Sequence, residues 1–286
     1  MQGRTMRLYR TSLVLLAACI TIAGCASSPG DTGGETPTGA APSPPSEAPG
    51  LTLVAIGDSI PYNSEDDCPG CTGYIDRYTD AVSAATGQPV EVLNLSQHTG
   101  LTLPQLLDTL YSYEEDVAGA EVIVVGIAHN SSELATFRPC GAPKDDEGLP
   151  EWSKIDDVVA CAEASAEKFR PQFESLYSQI AAWREGEPTI LRAINRYNDW
   201  IGWREAALGP DEEQKTKIVL DPWSAMVCEA AETNGFGCAD IYHAFNGPDG
   251  LRPSGRLLAG DYTHPSDRGN ELIADVLVDI GFEPLA

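Results

Sequence analysis

The feature that most restricts the fold of this chain is a strict alternation of short apolar, β-branched runs with stretches of helical spacing. Glu121 to Ile127 (EVIVVGI) is the clearest run. It is continuous and apolar, as a strand covered on both faces must be. Leu51 to Ile56 is a second, ended by Gly57, and Val90 to Leu95, Thr189 to Asn195 and Cys238 to Phe245 read as three more. Between them, Gly73 to Ala85 carries apolar residues at helical spacing and stops at Gly87. Leu103 to Leu110 is helical with Pro104 in its first turn. Val158 to Arg184 is helical, with Pro171 expected to kink or break it. Ile218 to Thr233 is mostly helix after Pro222, and Pro265 to Ile280 is a closing helix. A long insert runs from Ser131 to about Asp156. Five strands alternating with helices require a parallel sheet covered on both faces, a three-layer α/β/α arrangement. Such sheets present their chemistry at the carboxyl ends of the strands. Reactive groups are therefore expected just after Ile56, Leu95, Ile127 and Phe245.

Ahead of this domain the composition changes. Arg4, Arg7 and Arg10 precede a short apolar run from Leu13 to Ala23, the pattern of a secretory signal over residues 1–24 and too short to span a membrane comfortably. The run ends in Ile22-Ala23-Gly24-Cys25, which resembles a bacterial lipobox, with Cys25 as the lipidated first residue of the mature chain. The alternative is ordinary signal cleavage, with Cys25 incidental. Residues 25–50 are mainly Ser, Gly, Pro, Thr and Ala and cannot bury enough apolar surface to offset chain entropy, so they read as a disordered tether. Residues 51–286 remain as one domain, long enough for a single large core. The expected location is outside the cytoplasm, as a surface lipoprotein held to the membrane through Cys25 or as a secreted protein, and the expected state is a monomer. The formal net charge of −25 disfavours a nucleic-acid partner, which needs a basic face, and tight docking on anionic lipid.

Six cysteines lie in the domain: Cys68, Cys71, Cys140, Cys161, Cys228 and Cys238. An even number in an exported chain points to disulfides, whose connectivity spacing alone does not give. Pairing between sequence neighbours is the expectation. Cys68-Pro-Gly-Cys71 has the spacing of a redox pair, but Asp66 and Asp67 just before it would raise a thiol pKa, so a structural staple is favoured. No second Cys or His pair lies at zinc-finger spacing.

The candidate chemistry follows the strand ends. Gly57-Asp58-Ser59 sits at a strand-to-helix turn, where a hydroxyl projects above the sheet and its own N–H lies near a helix start. By itself the tripeptide is a common turn, and a helix N-cap is the plain alternative. A serine needs a base to become a nucleophile. His264, in Asp261-Tyr262-Thr263-His264-Pro265, is the best placed of four histidines. An aspartate three residues earlier can accept from Nδ1–H and leave Nε2 to take a proton. Pro265 then opens the last helix. The alternative is a capped helix with an exposed histidine. Gly100 follows the second strand and Asn130 the third. Their N–H and amide groups could face a developing oxyanion.

These stretches, in this order, resemble the SGNH hydrolases, also called GDSL esterases. Gly57-Asp58-Ser59 is similar to the first block of that family, Gly100 to the glycine of the second, Asn130 to the asparagine of the third, and Asp261-x-x-His264-Pro265 to the fifth. The resemblance covers essentially all of residues 51 to 281. It implies a flavodoxin-like arrangement of the sheet, Ser59 as nucleophile, His264 as general base and acid, and Asp261 as the residue that orients it. It further implies an oxyanion hole from the N–H of Ser59, the N–H of Gly100 and the side-chain amide of Asn130. The third block departs from the family pattern: Ala128 stands for its glycine and Ser131 for its aspartate, while Asn130 is kept.

His98 and His129 fall near these groups and, with Trp200, are candidate substrate contacts. No carboxylate beside the two histidines has ligand spacing, so no metal and no cofactor are expected. His243 reads as packing within a strand. Trp183, Trp200 and Trp203 could form a sugar-binding platform or pack under a loop. Lys144 to Glu147 reads as a solvated loop tip. The implied activity is hydrolysis of a carboxylic ester through an acyl-enzyme at Ser59, with lipid, short-chain and O-acetyl sugar esters all compatible. No lid or long apolar channel is recognisable, which favours small acyl groups. The competing readings are a surface-tethered binding protein without catalysis and an acyltransferase.

Overall fold

A computed structural model describes residues 50–135, 138–146, 148–202 and 208–286. The expected signal, Cys25 and all but the last residue of the tether lie outside the described residues, as do Glu147 and Trp203. Five strands form one parallel sheet: β1 (Leu51–Gly57), β2 (Val90–Asn94), β3 (Val122–Gly126), β4 (Ile190–Ile194) and β5 (Gly237–Ala239). Their order is β2-β1-β3-β4-β5, the flavodoxin-like order that reverses direction beside β1. The helices are α1 (Ser59–Tyr62), α2 (Tyr74–Thr86), α3 (Leu103–Thr109), α4 (Glu114–Ala118), α5 (Val158–Trp183), α6 (Pro210–Thr233), α7 (Ile241–Asn246) and α8 (Asp267–Asp279).

The two faces of the sheet are read directly from the period-two alternation of strands. Val54, Ile56, Ile123, Val125 and Ala193 pack with α3, α5 and α6. Leu53, Ala55, Val122, Val124, Ile190 and Ile194 pack with α2, α7 and α8. Central strands β1 and β3 are buried along almost their whole length, which is why they carry no polar alternation.

Three elements differ from the sequence expectation. Cys238 to Phe245 is not one strand. Only Gly237–Ala239 pairs with β4, and Asp240 then caps a helix by accepting from the His243 N–H at 3.2 Å. Ile241, Tyr242 and Phe245 are buried on that helix at helical, not alternating, spacing. The chain stays helical through Pro171, because Phe169, Phe173, Leu176 and Ile180 keep one face of α5 on the core. The sixth helix starts eight residues earlier than expected, at Pro210 rather than Ile218. Pro210 occupies its first turn, and Glu212 accepts from the Gly209 N–H at 2.9 Å. Pro222 lies inside this helix. No helix among the described residues is long and apolar enough to cross a membrane.

Candidate active site

The turn after β1 is fixed by close backbone approach. Gly57 pairs with Gly126 across the sheet, and a Cβ on Gly57 would lie 2.1 Å from the Gly126 carbonyl oxygen. Only glycine fits there. The Asp58 N–H donates to that same carbonyl at 3.0 Å, and Asp58 Oδ1 accepts from the Ile60 N–H at 3.0 Å. Asp58, not Ser59, is therefore the N-cap, and Ser59 is the first helical residue, with only 8% of its surface exposed.

The segment before α8 carries the base. Asp261 folds back on itself: Oδ1 accepts from the N–H groups of Thr263 and His264, each at 3.1 Å, and Oδ2 lies 2.5 Å from His264 Nδ1. With Nδ1–H held by Asp261, Nε2 is left to accept, and it stands 2.9 Å from Ser59 Oγ. Tyr197, from the loop after β4, donates to the Thr263 carbonyl at 2.6 Å and props this segment from below. Pro265 does not open the helix. It bridges to Leu258, and Ser266 caps α8 by accepting from the Gly269 N–H at 3.1 Å. Burial disfavours a charged His264. The hydrogen bond and charge of Asp261, then the charges of Asp67 and Asp58, outweigh it, and the net effect raises its pKa. Partial desolvation works to raise the more exposed Asp261 carboxyl, but its bonds to His264 and Thr263 hold it below the usual carboxylate range.

Gly100 has φ +72° in the exposed loop after β2. The amide of Asn130 donates to the carbonyl of Leu101, the next residue, at 3.2 Å. These two groups thus come from adjoining loops, and Asn130 keeps a second N–H for another acceptor. His98 Nε2 lies 2.9 Å from Asp67 Oδ2, and its ring centroid is 6.3 Å from that of His264. His129 is buried, 3.6 Å from Asp199, and packs on Tyr197. Burial and the Arg196 charge, opposed by Asp199, push its pKa down to about 4. Trp200 is buried and does not line the site. Its indole donates to the Leu134 carbonyl at 3.1 Å and meets Trp152 edge-on, so it packs under the insert. Trp183 ends α5, next to the start of β4 and at the far end of the sheet from Ser59. His243 is on helix α7, with nearly half of its side chain exposed and Nδ1 2.6 Å from Asp240.

A lipase from a goat rumen metagenome matches this chain with a TM-score of 0.64 at 18% identity, over 82% of this chain and 100% of the lipase. The fold is that of the SGNH, or GDSL-type, lipases. An extracellular lipase from Streptomyces rimosus shares it with a TM-score of 0.54 at 15% identity, over 80% of this chain and 99% of that one. A GDSL-like lipase from Parabacteroides merdae does so at 0.53 and 14% identity, over 82% and 97%. No protein-family model and no curated protein matches the sequence.

On this SGNH fold three features escape a sequence reading. Arg196, after β4, is buried and pairs with Asp199 at 2.8 Å while donating to the His129 carbonyl, so it ties the loop that bears Asn130 to the loop that bears Tyr197. Despite burial, Arg196 and His129 pull the Asp199 pKa down to about 2. This loop after β4 borders the Ser59–His264 pair through Tyr197, and Phe245 does not end a strand but lies within α7. A third carboxylate, Asp67, reaches within 3.4 Å of His264 Nε2. The only sequence signal for it was a pair of aspartates in the loop that follows the nucleophile turn. The disulfides join sequence neighbours: Cys68–Cys71, Cys140–Cys161 and Cys228–Cys238. Asp67, Asp261 and His264 also bring three donor atoms within 4.8 Å of one another, but these atoms are engaged with the imidazole. Cys140 and Cys161, which lie beside Glu133, are bonded to each other.

Proposed function

We propose that this chain is an exported serine ester hydrolase that works through an acyl-enzyme at Ser59. One observation carries the reading: the continuous hydrogen-bond chain from Ser59 Oγ through His264 to Asp261, at 2.9 and 2.5 Å. Ser59 Oγ attacks the ester carbonyl carbon as its proton passes to His264 Nε2. Collapse of the tetrahedral intermediate expels the alcohol, which takes that proton. Water, deprotonated by the same nitrogen, then releases the carboxylic acid and regenerates Ser59. The oxyanion falls to the N–H groups of Ser59 and Gly100 and the free amide N–H of Asn130. The shared fold supports the reaction class, since its solved relatives include enzymes named as lipases. The basic and apolar N-terminus and the Cys25 motif support export and lipid anchoring, and three disulfides fit an oxidising location. Lipid, short-chain and O-acetyl sugar esters remain the candidate substrates. The buried position of Ser59, with 8% of its surface exposed, favours small acyl groups.

Ser59→Ala is the direct test. Hydrolysis of p-nitrophenyl acetate should fall by at least about 10³-fold while circular dichroism stays that of the wild type. Undiminished turnover in the variant would eliminate Ser59 as nucleophile.

A further inference from the structure

The loop that follows the nucleophile helix brings a carboxylate to the wrong side of the imidazole for a simple triad. Asp67 Oδ2 lies 3.4 Å from His264 Nε2, the nitrogen that faces Ser59, and 2.9 Å from His98 Nε2. Only 15% of the Asp67 side chain is exposed. One carboxylate oxygen is thus held between two imidazoles. We propose that Asp67 is a second carboxylate partner of His264, held against Nε2 by the Cys68–Cys71 staple, and that it stabilises the imidazolium formed when Ser59 gives up its proton. This rests on the reading of His264 as the base for Ser59.

The contact differs in sign between the two states of the ring. In the resting state Nδ1 carries the proton, and the Asp67 carboxylate faces the lone pair on Nε2, which is unfavourable. Once Nε2 takes the serine proton, the same carboxylate faces a positive charge. An interaction that is stronger in the charged state than in the ground state accelerates the step that creates the charge. His98 does not serve the same end by itself. It donates to Asp67 and so orients the carboxylate, and Tyr62 stacks on His98 at 5.5 Å.

The loop is built to hold this position. The N–H groups of Asp67 and Cys68 both donate to the Ser64 carbonyl at 3.1 Å, and the Cys71 N–H donates to Cys68 at 3.1 Å. Asn63 bonds the Cys71 carbonyl at 3.1 Å and receives from Asn270 at 3.2 Å, and the Thr72 N–H donates to Asp267 at 3.0 Å. The loop therefore hangs from α8, the helix that directly follows His264. The groups facing His264 are Asp261 at Nδ1, Asp67 at Nε2, buried Asp58 behind the serine, and the His98 and His129 rings. Burial lowers the His264 pKa, and Asp261, Asp67 and Asp58, in that order, raise it.

The test compares wild type with Asp67→Asn, which keeps an oxygen for His98, and with Asp66→Asn, which removes an equal charge from the adjacent exposed residue. The His264 ring is titrated by NMR, and kcat/KM for p-nitrophenyl acetate is followed against pH. In the wild type both midpoints should lie above the 6.5 of a free imidazole. In Asp67→Asn both should fall by about half a pH unit, roughly threefold in proton affinity, and the plateau rate should drop about three- to tenfold. Asp66→Asn should superimpose on the wild type. Cys68→Ser/Cys71→Ser should reproduce the Asp67→Asn shift. An unchanged His264 midpoint in Asp67→Asn, with or without a loss of rate, would overturn the proposal. The NMR titration needs no turnover, so it decides on Asp67 even if the esterase reading fails on Ser59→Ala.

Discussion

Asp58 holds a carboxyl group where water does not reach it. Burial pushes its pKa up to about 6, against the pull of the backbone N–H groups of Ile60 and Asn130 and the Arg196 charge. An unfolded aspartate ionises near 3.9. Its contribution to stability is therefore full below that pH and is lost as pH rises through about 6. His129 runs the other way. Its pKa of about 4 lies below the unfolded value, so its contribution is present above about 6.5 and is lost as pH falls through about 4. The two slopes oppose each other over the same window. Asp58→Asn keeps a capping oxygen and removes one of them. It should be more stable than wild type at pH 7 by up to about 3 kcal/mol, and should lose stability between pH 7 and 4.5 more steeply. Urea midpoints at the two pH values check this, and a variant less stable at pH 7 would contradict it. Not every residue-scale feature of the site was equally legible. The pairing of Asp261 with His264 is local, and spacing alone foretold it. Yet Asp240 and His243 repeat that spacing and that contact. They differ in what lies beyond Nε2: Ser59, 205 residues away, stands at His264. In the sequence Asp67 stands only as a neighbour of cysteines, because its partner His264 is almost as remote along the chain.

At the scale of the elements, the site depends on how closely β1 and β3 run. Gly57 and Gly126 face each other, and the Gly126 oxygen takes the Asp58 N–H that turns the chain into α1. A Cβ at Gly57 would meet backbone, which cannot swing aside. Gly57→Ala should therefore destabilise the fold by about 3 kcal/mol and, on the proposed function, lower hydrolysis of p-nitrophenyl acetate by moving Ser59. A denaturation midpoint equal to that of the wild type would show that the two strands separate freely. The buried runs in β1 and β3 were legible because both faces are covered. The short β5 was not, since three strand residues and a helical turn together look like one apolar run. What divides them is Asp240, whose oxygen satisfies the His243 N–H at the start of α7. The prolines of α5 and α6 misled for a related reason. Each costs the helix a hydrogen bond, but packing of both long helices on the same core outweighs the loss.

At the largest scale, the described residues from 50 onward form one sheet with an insert locked onto it. Trp152 of the insert is buried against Trp200, and Lys215 from α6 donates to the carbonyls of Trp152, Ser153 and Ile155 at 2.8, 3.2 and 3.1 Å. Cys140–Cys161 closes the insert over a sequence separation of 21. Loop-closure entropy then gives Cys140→Ser/Cys161→Ser a loss of about 3 kcal/mol, against roughly 2 for the short Cys68–Cys71 loop. Chemical denaturation of the two double variants measures both, and equal losses would show that loop length is not what governs them. The sequence by itself determined the layers, the parallel sheet and the local pairing of Asp261 with His264, because each depends on periodicity or on neighbours a few residues apart. Tertiary structure alone decided which Asp-x-x-His pair meets a serine, that Asp67 reaches the same imidazole, that Arg196 and Asp199 brace the loops, and that Trp200 turns inward. Those contacts join residues from separate strand ends. Only the folded sheet sets the distance between such residues, and no local pattern encodes it.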